Sequence, residues 1–273
     1  MSRMSIQASV TMGQLQQKID TIGNNIANLN THGYKNREVN FSSLLTQQIN
    51  AEEVNDQRLT PDGIRVGAGA RLGHTNLNLK QGSLQDTGRA LDVALMKENQ
   101  LFQISVVENG IQETRYTRAG NFYLTPTEAE GQSMLVTSDG NPVIGNNGPI
   151  ILADNMEDLK INENGQIEVT RNGVQQVEGQ LTIVEAIRPR MLEATGDNMF
   201  RLSADSLANY NEAEIIQEVA QQDIQVKSGA LEASNVDLSE QMSELIQTQR
   251  AYQFNAKSIS MHDQMRGLIN QLR

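Results

Sequence analysis

The sequence predicts an α+β protein whose two ends form coiled-coil-like helices and whose middle forms an antiparallel β-rich domain. Three observations lead to this fold class. Apolar residues recur in alternating steps of four and three near the N-terminus, and the same steps recur near the C-terminus. Between these ends, four Asn-Gly or Asp-Gly pairs separate strand-like runs. The 273 residues suffice for one large domain or two smaller ones.

The N-terminal helix is predicted from an apolar stripe with the spacing of a coiled-coil seam. Asn24 and Asn25 lie off this stripe, and with Asn28 and Asn30 they place four asparagines within seven positions, although asparagine is a poor helix former. Gly33 is placed to end the helix in a left-handed conformation, near residues 30–33. The stripe consists of Ala8, Met12, Leu15, Ile19, Ile22, Ile26 and Leu29.

The middle of the chain reads as a connector followed by a β domain. Residues 33–74 predict an extended connector with short strands such as 64–66, and residues 75–225 predict the β domain, followed by a return linker at 226–233. The strand-joining pairs suggest type I′ turns, because both central positions of that turn need positive φ. The pairs are Asn109-Gly110, Asp139-Gly140, Asn164-Gly165 and Asn172-Gly173.

The C-terminal segment predicts a helix with two apolar stripes on opposite sides, capped by Ser234 or Asp237. Such a helix needs more than one neighbour, unless it is simply buried in an ordinary globular core. The first stripe contains Leu238, Met242, Leu245, Gln249, Tyr252, Ala256 and Ile259. The second stripe contains Phe254, Ser258, Met261, Met265, Leu268 and Leu272.

Composition argues against several kinds of chemistry. The net charge of −11 disfavours nucleic acid as a partner, because such affinity depends on neutralising phosphates. There is no cysteine, and the three histidines are far apart in sequence without a second ligand at metal spacing, so we expect no metal, no cofactor, no catalytic site and no small-molecule substrate. The first residues lack the apolar core of a conventional secretory signal.

Four segments resemble bacterial flagellar rod and hook proteins. The resemblance begins with QQKIDTIGNNIANLNTHGYK and continues through LKQGSLQDTGRALDVAL, YTRAGNFYLT and SGALEASNVDLSEQMSELIQTQRAYQFNAKSI, in the expected order along nearly the whole chain. In the first segment, the family motif falls on Asn30, Thr31, Gly33, Tyr34 and Lys35. The short length is most similar to distal-rod-type basal-body proteins.

The chain departs from the family pattern at LMKENQLFQI, where a glycine-rich turn ending in two phenylalanines is usual. We expect Asn99 to take the positive φ that a glycine would otherwise supply. Leu101 and Phe102 are expected to replace the aromatic pair, so that the fold survives.

The resemblance implies a structural subunit of the flagellar basal body, outside the cytoplasmic membrane. Such a subunit is exported by the flagellar type III apparatus and polymerises with itself and other rod and hook proteins into a helical tube that transmits torque. Residues 1–32 and 234–273 would form its assembly domain. Two alternatives stay open: a transient cap or adaptor, and a peptidoglycan-remodelling enzyme on the same scaffold.

The resemblance also suggests roles for the helix residues. The first C-terminal stripe, including Leu245 and Ile259, is expected to pack against the N-terminal helix around Leu15, Ile19 and Ile22. The second stripe would meet neighbouring subunits. Asparagine side chains both donate and accept hydrogen bonds, so we expect them to fix the axial register of helices in the tube. The alternative is that Asn28 and Asn30 only terminate the helix.

Overall fold

The computed structural model describes residues 3–43, 46–49, 64–67, 70–108, 110–127 and 129–271. Its helices are α1 (Arg3–Ala27), α2 (Ala204–Asn209), α3 (Glu212–Ile215) and α4 (Leu238–Gln271), with 3-10 turns at Pro189–Met191 and Gln221–Asp223. Its strands are β1 (Arg37–Ser43), β2 (Thr46–Ile49), β3 (Ile64–Gly67), β4 (Ala70–Leu77), β5 (Leu84–Asp86), β6 (Val93–Leu95), β7 (Gln100–Glu108), β8 (Ile111–Thr117), β9 (Tyr123–Pro126), β10 (Gln132–Val136), β11 (Ile144–Gly145), β12 (Gly148–Pro149), β13 (Ile151–Ala153), β14 (Asp158–Ile161), β15 (Gln166–Arg171), β16 (Val174–Gln180), β17 (Ile183–Ala186), β18 (Leu192–Gly196), β19 (Met199–Leu202), β20 (Ile216–Glu218), β21 (Val226–Ser228) and β22 (Ala230–Glu232).

The chain divides into two compact units. Unit 1 contains Met1–Ile26, Arg37–Asn76 and Asp237–Arg273, and unit 2 contains Ala27–Asn36 and Leu77–Val236. The predicted α+β class is confirmed, with a helix near each end of the chain and a β-rich region between them. None of the helices in the described part of the chain is both long and apolar enough to cross a membrane.

Unit 1 consists of the two long helices and two strand pairs, β1 with β4 and β2 with β3. Helix α4 begins where Asp237 Oδ1 accepts the backbone N–H groups of Ser239 (2.8 Å) and Glu240 (3.2 Å), so Asp237 rather than Ser234 is the cap. The expected strand at 64–66 lies in β3 and is confirmed. Residues 44–45, 50–63 and 68–69 of the predicted connector lie outside the described residues.

Helix α1 ends earlier than the sequence predicted. Its last residue is Ala27, because the carbonyl of Asn28 accepts the Thr31 N–H at 3.2 Å and Asn28 Oδ1 accepts the Thr31 hydroxyl at 3.1 Å, which turns the chain. Gly33 does adopt the expected left-handed conformation, with φ of 68°. It lies beyond the helix end, however, and a Cβ there would come within 2.6 Å of Ala119 N.

Unit 2 is built around a six-stranded antiparallel sheet in the order β18-β19-β8-β7-β17-β20. Three-stranded sheets β14-β15-β16 and β13-β10-β9 share its core. The rings of Phe102 and Phe122 meet edge to face with centroids 5.1 Å apart, and both side chains are fully buried. Asn99 has φ of 59°, so the positive φ expected at the departing turn is confirmed. Leu101 is as fully buried as Phe102.

The turns follow the predicted positions but not a single type. Asn172 and Gly173 both have positive φ, as a type I′ turn between β15 and β16 requires. Asn164 does not share this conformation. Instead, the Asn162 side chain accepts the N–H groups of Asn164 (3.1 Å) and Gln166 (2.9 Å), which leaves only Gly165 with positive φ.

The other two pairs also lie at chain reversals. At Asp139-Gly140 only the glycine has positive φ, and the Thr137 hydroxyl accepts the Asn141 N–H at 3.3 Å. Strand β8 pairs along its whole length with residues 102–108 of β7, on either side of residue 109, and Gly110 has positive φ. Asn109 itself lies outside the described residues.

The prediction of a return linker at 226–233 is wrong. Residues Val226–Ser228 form β21, which pairs with β6, and Ala230–Glu232 form β22, which pairs with β5. Val226, Ala230 and Leu231 are buried, so the burial of these side chains holds both strands in place. Runs of three residues are too short to show a period of two in sequence.

Candidate assembly site

Asn25 joins three segments of unit 1. Its side chain donates to the Arg37 carbonyl (2.9 Å) and accepts the Arg37 N–H (3.1 Å), and it also donates to Gln241 Oε1 (3.0 Å). Both amides are buried, with exposed fractions of 1% for Asn25 and 3% for Gln241. We call Asn25, Arg37 and Gln241 the amide clasp. It explains why a buried helix position holds an asparagine, because a leucine there would leave the backbone groups of Arg37 without these partners.

The amide clasp fixes which sides of α1 and α4 face each other. Lys18 Nζ lies 3.2 Å from Glu244 Oε1, so residues 25 and 18 of α1 pair with 241 and 244 of α4. The two helices are therefore antiparallel within unit 1. On α1, Leu15 and Ile22 are buried as the stripe predicts, and the half-buried positions of that stripe are Ala8, Met12, Ile19 and Ile26.

The face of α4 that is buried differs from the predicted one. Gln241 and Thr248 are its buried residues in the described part of the helix. Leu238 and Met242, expected in the internal seam, are 41% and 44% exposed. The physical reason is the amide clasp, since a helix that turns residue 241 inward turns its neighbour 242 outward. The members of the first stripe that are half-buried are Leu245, Tyr252, Ala256 and Ile259, whereas Gln249 is exposed.

The large apolar residues of the second stripe in the described part of α4 are exposed in the subunit, whereas Ser258 is half-buried and Leu272 lies outside the described residues. The exposed fractions are 69% for Phe254, 56% for Met265 and 60% for Leu268. Near the far end of α4, Met265 and Leu268 border an apolar groove of about 590 Å³ between the two helices. The groove is lined by Gln7, Ala8, Thr11, Asn255, Ser258, Ile259, Met261, His262, Gln264, Met265 and Leu268. An exposed apolar surface of this kind is typical of a site that contacts a protein, a membrane or a ligand.

The remaining predicted positions precede or belong to the motif that follows α1. Asn24 and Asn30 are exposed, and Leu29 and Thr31 are half-buried. Asn28 takes part in the turn that ends the helix, which supports the terminating alternative for this residue. Gly33, Tyr34 and Lys35 are buried in unit 2.

Lys35 belongs to a buried group of charges in unit 2 that we call the ion cluster, together with Arg118 and Glu232. Lys35 Nζ lies 2.6 Å from Glu232 Oε1, and Arg118 Nε lies 2.5 Å from Glu232 Oε2. The three side chains are no more than 2% exposed. Two cations therefore share one carboxylate away from water. Burial lowers the pKa of Lys35 below its ordinary 10.5, and the nearby Glu232 charge opposes this shift.

Each member of the ion cluster also bonds the backbone of another segment. Lys35 donates to the Lys80 carbonyl at 2.6 Å, Arg118 donates to the Gln100 carbonyl at 2.5 Å, and Glu232 accepts the Gly82 N–H at 2.7 Å. A Cβ on Gly82 would come within 2.1 Å of the Ala233 carbonyl oxygen. These bonds stabilise a close crossing of chain segments.

The ion cluster brings together all four segments that carry the family resemblance. Asn235 adds to it, because its side chain accepts the Asn36 N–H (2.7 Å) and donates to the carbonyls of Asn78 (2.8 Å) and Lys80 (3.0 Å). The motif residues after α1 therefore stabilise the interior of unit 2.

Sequence reasoning missed Gln241, Arg118, Glu232 and Asn235 as site residues. Arg118, Glu232 and Asn235 stand within the quoted motifs, so the signal was present but carried no assigned role. Gln241 also stands within the quoted C-terminal segment, but a glutamine off the apolar stripe reads as a solvated side chain. In the described residues, no group of three or more His, Cys, Asp or Glu side chains is arranged to hold a metal ion.

Comparison with known proteins agrees with the positions of these motifs. A family model for the flagella basal body rod protein matches residues 7–35, one for the flagellar hook protein FlgE/F/G D1 domain matches 100–169, and one for the flagellar basal body rod FlgEFG protein C-terminal matches 227–272. The chain is 42% identical to the flagellar hook-basal body complex protein FlhP of Bacillus subtilis, over 100% of both chains. It is 34% identical to the flagellar basal-body rod protein FlgG of Caulobacter vibrioides over 97% of both chains, and 33% identical to FlgG of Bacillus subtilis over 95% of both.

Proposed function

The chain belongs to the flagellar basal-body rod and hook family, and on this premise we propose that it is a structural rod subunit that polymerises into a torque-transmitting helical tube. Its partners are further copies of itself and other rod and hook proteins. It reaches the basal body, outside the cytoplasmic membrane, through the flagellar type III export apparatus. It carries out no catalysis there.

The observation that carries this proposal is the exposed apolar surface of α4. Eight large apolar side chains in the described part of this 34-residue helix are each more than 40% exposed. A single exposed apolar residue needs no explanation, but a continuous set along a helix calls for a second apolar surface. The eight residues are Leu238, Met242, Ile246, Phe254, Met261, Met265, Leu268 and Ile269.

The charge distribution supports association through the helices. Unit 1 contains ten Lys and Arg against ten Asp and Glu, so it has no net charge. Unit 2 contains twelve Lys and Arg against twenty-three Asp and Glu, which accounts for the whole net charge of −11. Copies that meet through unit 1 therefore do so without net repulsion between the contacting units.

We assign the coiled-coil seam within the subunit to the buried and half-buried helix residues, and contacts with neighbouring copies to the exposed ones. We no longer assign Asn25 to the register of neighbouring subunits, because its side-chain amide forms hydrogen bonds within its own chain. Asn24 is exposed and keeps the proposed register role. The first group comprises Met12, Leu15, Ile19, Ile22, Ile26, Leu245, Tyr252 and Ile259, and the second comprises Leu238, Met242, Phe254, Met265 and Leu268.

The proposal is tested with the double variant Phe254→Asp and Leu268→Asp. Both side chains are exposed, so the purified variant should keep the circular dichroism spectrum of the parent, while the cells build no rods and do not swim. Val174→Asp together with Val177→Asp is the matched control, because it places the same two charges at apolar positions of unit 2 that are 56% and 57% exposed. Rods at the parental frequency in the double variant would refute assembly through α4.

Two further measurements separate the alternatives. A transient cap or adaptor would be missing from purified hook-basal bodies, whereas a rod subunit is present in several copies, as counted by mass spectrometry. A wall hydrolase would clear peptidoglycan in zymography and would lose that activity with a single Asp or Glu substitution. We expect the protein to be present and the gels to stay uncleared.

A further inference from the structure

The chain contains eleven methionines and no cysteine, so the sulfur groups that an oxidant can attack are the methionine thioethers. Three exposed methionines lie on α4: Met242, Met261 and Met265, with exposed fractions of 44%, 52% and 56%. Met199, in contrast, is only 6% exposed within the core of unit 2. Oxidation of methionine follows exposure of the sulfur, so the helix methionines are the more vulnerable ones.

Met261 and Met265 occupy a particular place. They are four residues apart on α4, so they lie next to each other on one side of the helix. Both line the apolar groove between α1 and α4, together with Ala8, Ile259 and Leu268. Methionine is well suited to such a contact surface because its side chain is flexible and polarizable. The same thioethers are open to solvent as long as the groove is unoccupied.

We propose that Met261 and Met265 form an oxidation-sensitive modification site that controls whether the subunit can assemble. The control of assembly rests on the proposed function, whereas the modification itself does not. The oxidant is a peroxide. A sulfur lone pair attacks one peroxide oxygen, the O–O bond breaks and an S–O bond forms, and the proton on the transferred oxygen passes to the departing hydroxide. The thioether loses two electrons and becomes a sulfoxide, and hydrogen peroxide is reduced to water.

The sulfoxide opposes assembly because it converts an apolar side chain into a polar one. A neighbouring copy that covers the groove would have to remove water from two sulfoxide oxygens, and burial of an unpaired polar group is unfavourable. We expect association of the oxidised subunit to be at least about tenfold weaker. Assembled subunits are protected, since their thioethers are covered, so the sensitive stage is the free subunit.

The experiment treats the purified full-length protein with hydrogen peroxide and follows each methionine by peptide mass spectrometry. Self-association is then measured by sedimentation for the parent, for Met261→Leu/Met265→Leu and for Met96→Leu, each carrying Met242→Leu so that the third exposed methionine of α4 does not contribute. Leucine keeps the apolar character and nearly the volume of methionine, and the effect of peroxide is taken for each variant relative to the association of the same variant before treatment. Met96 is 41% exposed in unit 2, which makes it the matched control for oxidation outside the helices.

We expect Met261 and Met265 to oxidise before Met199, and peroxide to weaken association of the parent and of Met96→Leu but not of the double variant. The same loss in the double variant would overturn the proposal. If the untreated parent does not associate at all, the proposed function fails separately. The proposal of a modification site is then tested by mass spectrometry alone. Oxidation of Met199 at the same rate as Met261 and Met265 would refute that proposal.

Discussion

The ion cluster makes Glu232→Gln the most informative single substitution in this protein. Glutamine has nearly the shape of glutamate but carries no charge. In the parent, Glu232 Oε2 accepts from Arg118 Nε at 2.5 Å and Oε1 accepts from Lys35 Nζ at 2.6 Å. The variant therefore keeps both cations in place and removes the charge that compensates them. Whichever way the new amide is turned, its NH₂ group faces a donor.

The expected cost follows from burial. Lys35 and Arg118 have side chains that are 0% and 1% exposed, so water cannot replace the missing carboxylate. Removal of one partner from a buried ion pair costs about 3–5 kcal/mol, because the remaining charge is uncompensated. This corresponds to a rise of about two to four orders of magnitude in the unfolding equilibrium constant. Since domains are stable by only about 5–15 kcal/mol, the loss is large.

The pH dependence of the free energy of unfolding gives a second, independent test of the argument from burial. Burial already lowers the pKa of Lys35, and the Glu232 charge raises it. Loss of that charge should therefore lower the pKa of Lys35 further. Between that folded-state pKa and 10.5 the unfolded chain binds more protons than the folded one, so stability rises with pH. The deficit of Glu232→Gln relative to the parent should therefore be smaller at pH 9.5 than at pH 7.

The assay is urea unfolding followed by circular dichroism in the β-sheet region, at both pH values. Asp86→Asn is the matched control, because its pair with Lys227 is exposed, with side-chain fractions of 75% and 45%. An exposed pair contributes only about 0–1 kcal/mol. A Glu232→Gln variant as stable as Asp86→Asn, or a deficit that grows with pH, would refute the argument from burial.

Three further predictions test other parts of the structure. Asn25→Leu should cost the purified subunit about 2–4 kcal/mol in urea unfolding through its lost hydrogen bonds. Asn24→Leu, at an exposed position, should lower the free energy of unfolding by less than Asn25→Leu does, and equal effects would contradict the amide clasp. Burial raises the pKa of Tyr116 above its ordinary 10.0. The parent should therefore lose stability above about pH 10, where the phenol ionises in the unfolded chain before it does in the folded one. Tyr116→Phe should remove this loss, and a free energy of unfolding that falls equally with pH in the parent and in the variant would refute the argument. Leu245→Asp should leave export intact but lower the stability of the secreted monomer and prevent rod formation, whereas Met265→Asp, at an exposed position, should prevent rod formation alone.

The sequence predicted the long helices and the β domain because both rest on short-range patterns. A period of 3.6 or 2 and an Asn-Gly turn are visible within about ten residues. The buried side of α4 was not predictable in this way. Its apolar stripe pointed to Leu238 and Met242, but a hydrogen bond from Asn25, 216 residues away, turns Gln241 inward instead. Periodicity cannot weigh a long-range polar contact against an apolar stripe.

The ion cluster was equally beyond local reasoning. Lys35, Arg118 and Glu232 are separated by 83 and 114 residues, and each alone reads as a solvated charge. The short strands β21 and β22 escaped prediction for a related reason, since three-residue strands depend on the partner strands that they pair with. The resemblance to a family did identify these segments as special, but it could not say that their charges meet.

The position of the motif residues bears on how the subunit associates. Gly33, Lys35 and Glu232 lie inside unit 2, where they hold chain segments at a close crossing and cannot touch another copy without unfolding. The exposed apolar residues of α4 come from the helix stripes instead. A substitution in the ion cluster should therefore lower the stability of the free subunit, whereas one on the exposed side of α4 should lower association of a subunit that is still folded. The two kinds of defect separate in a purified monomer, before any rod is formed.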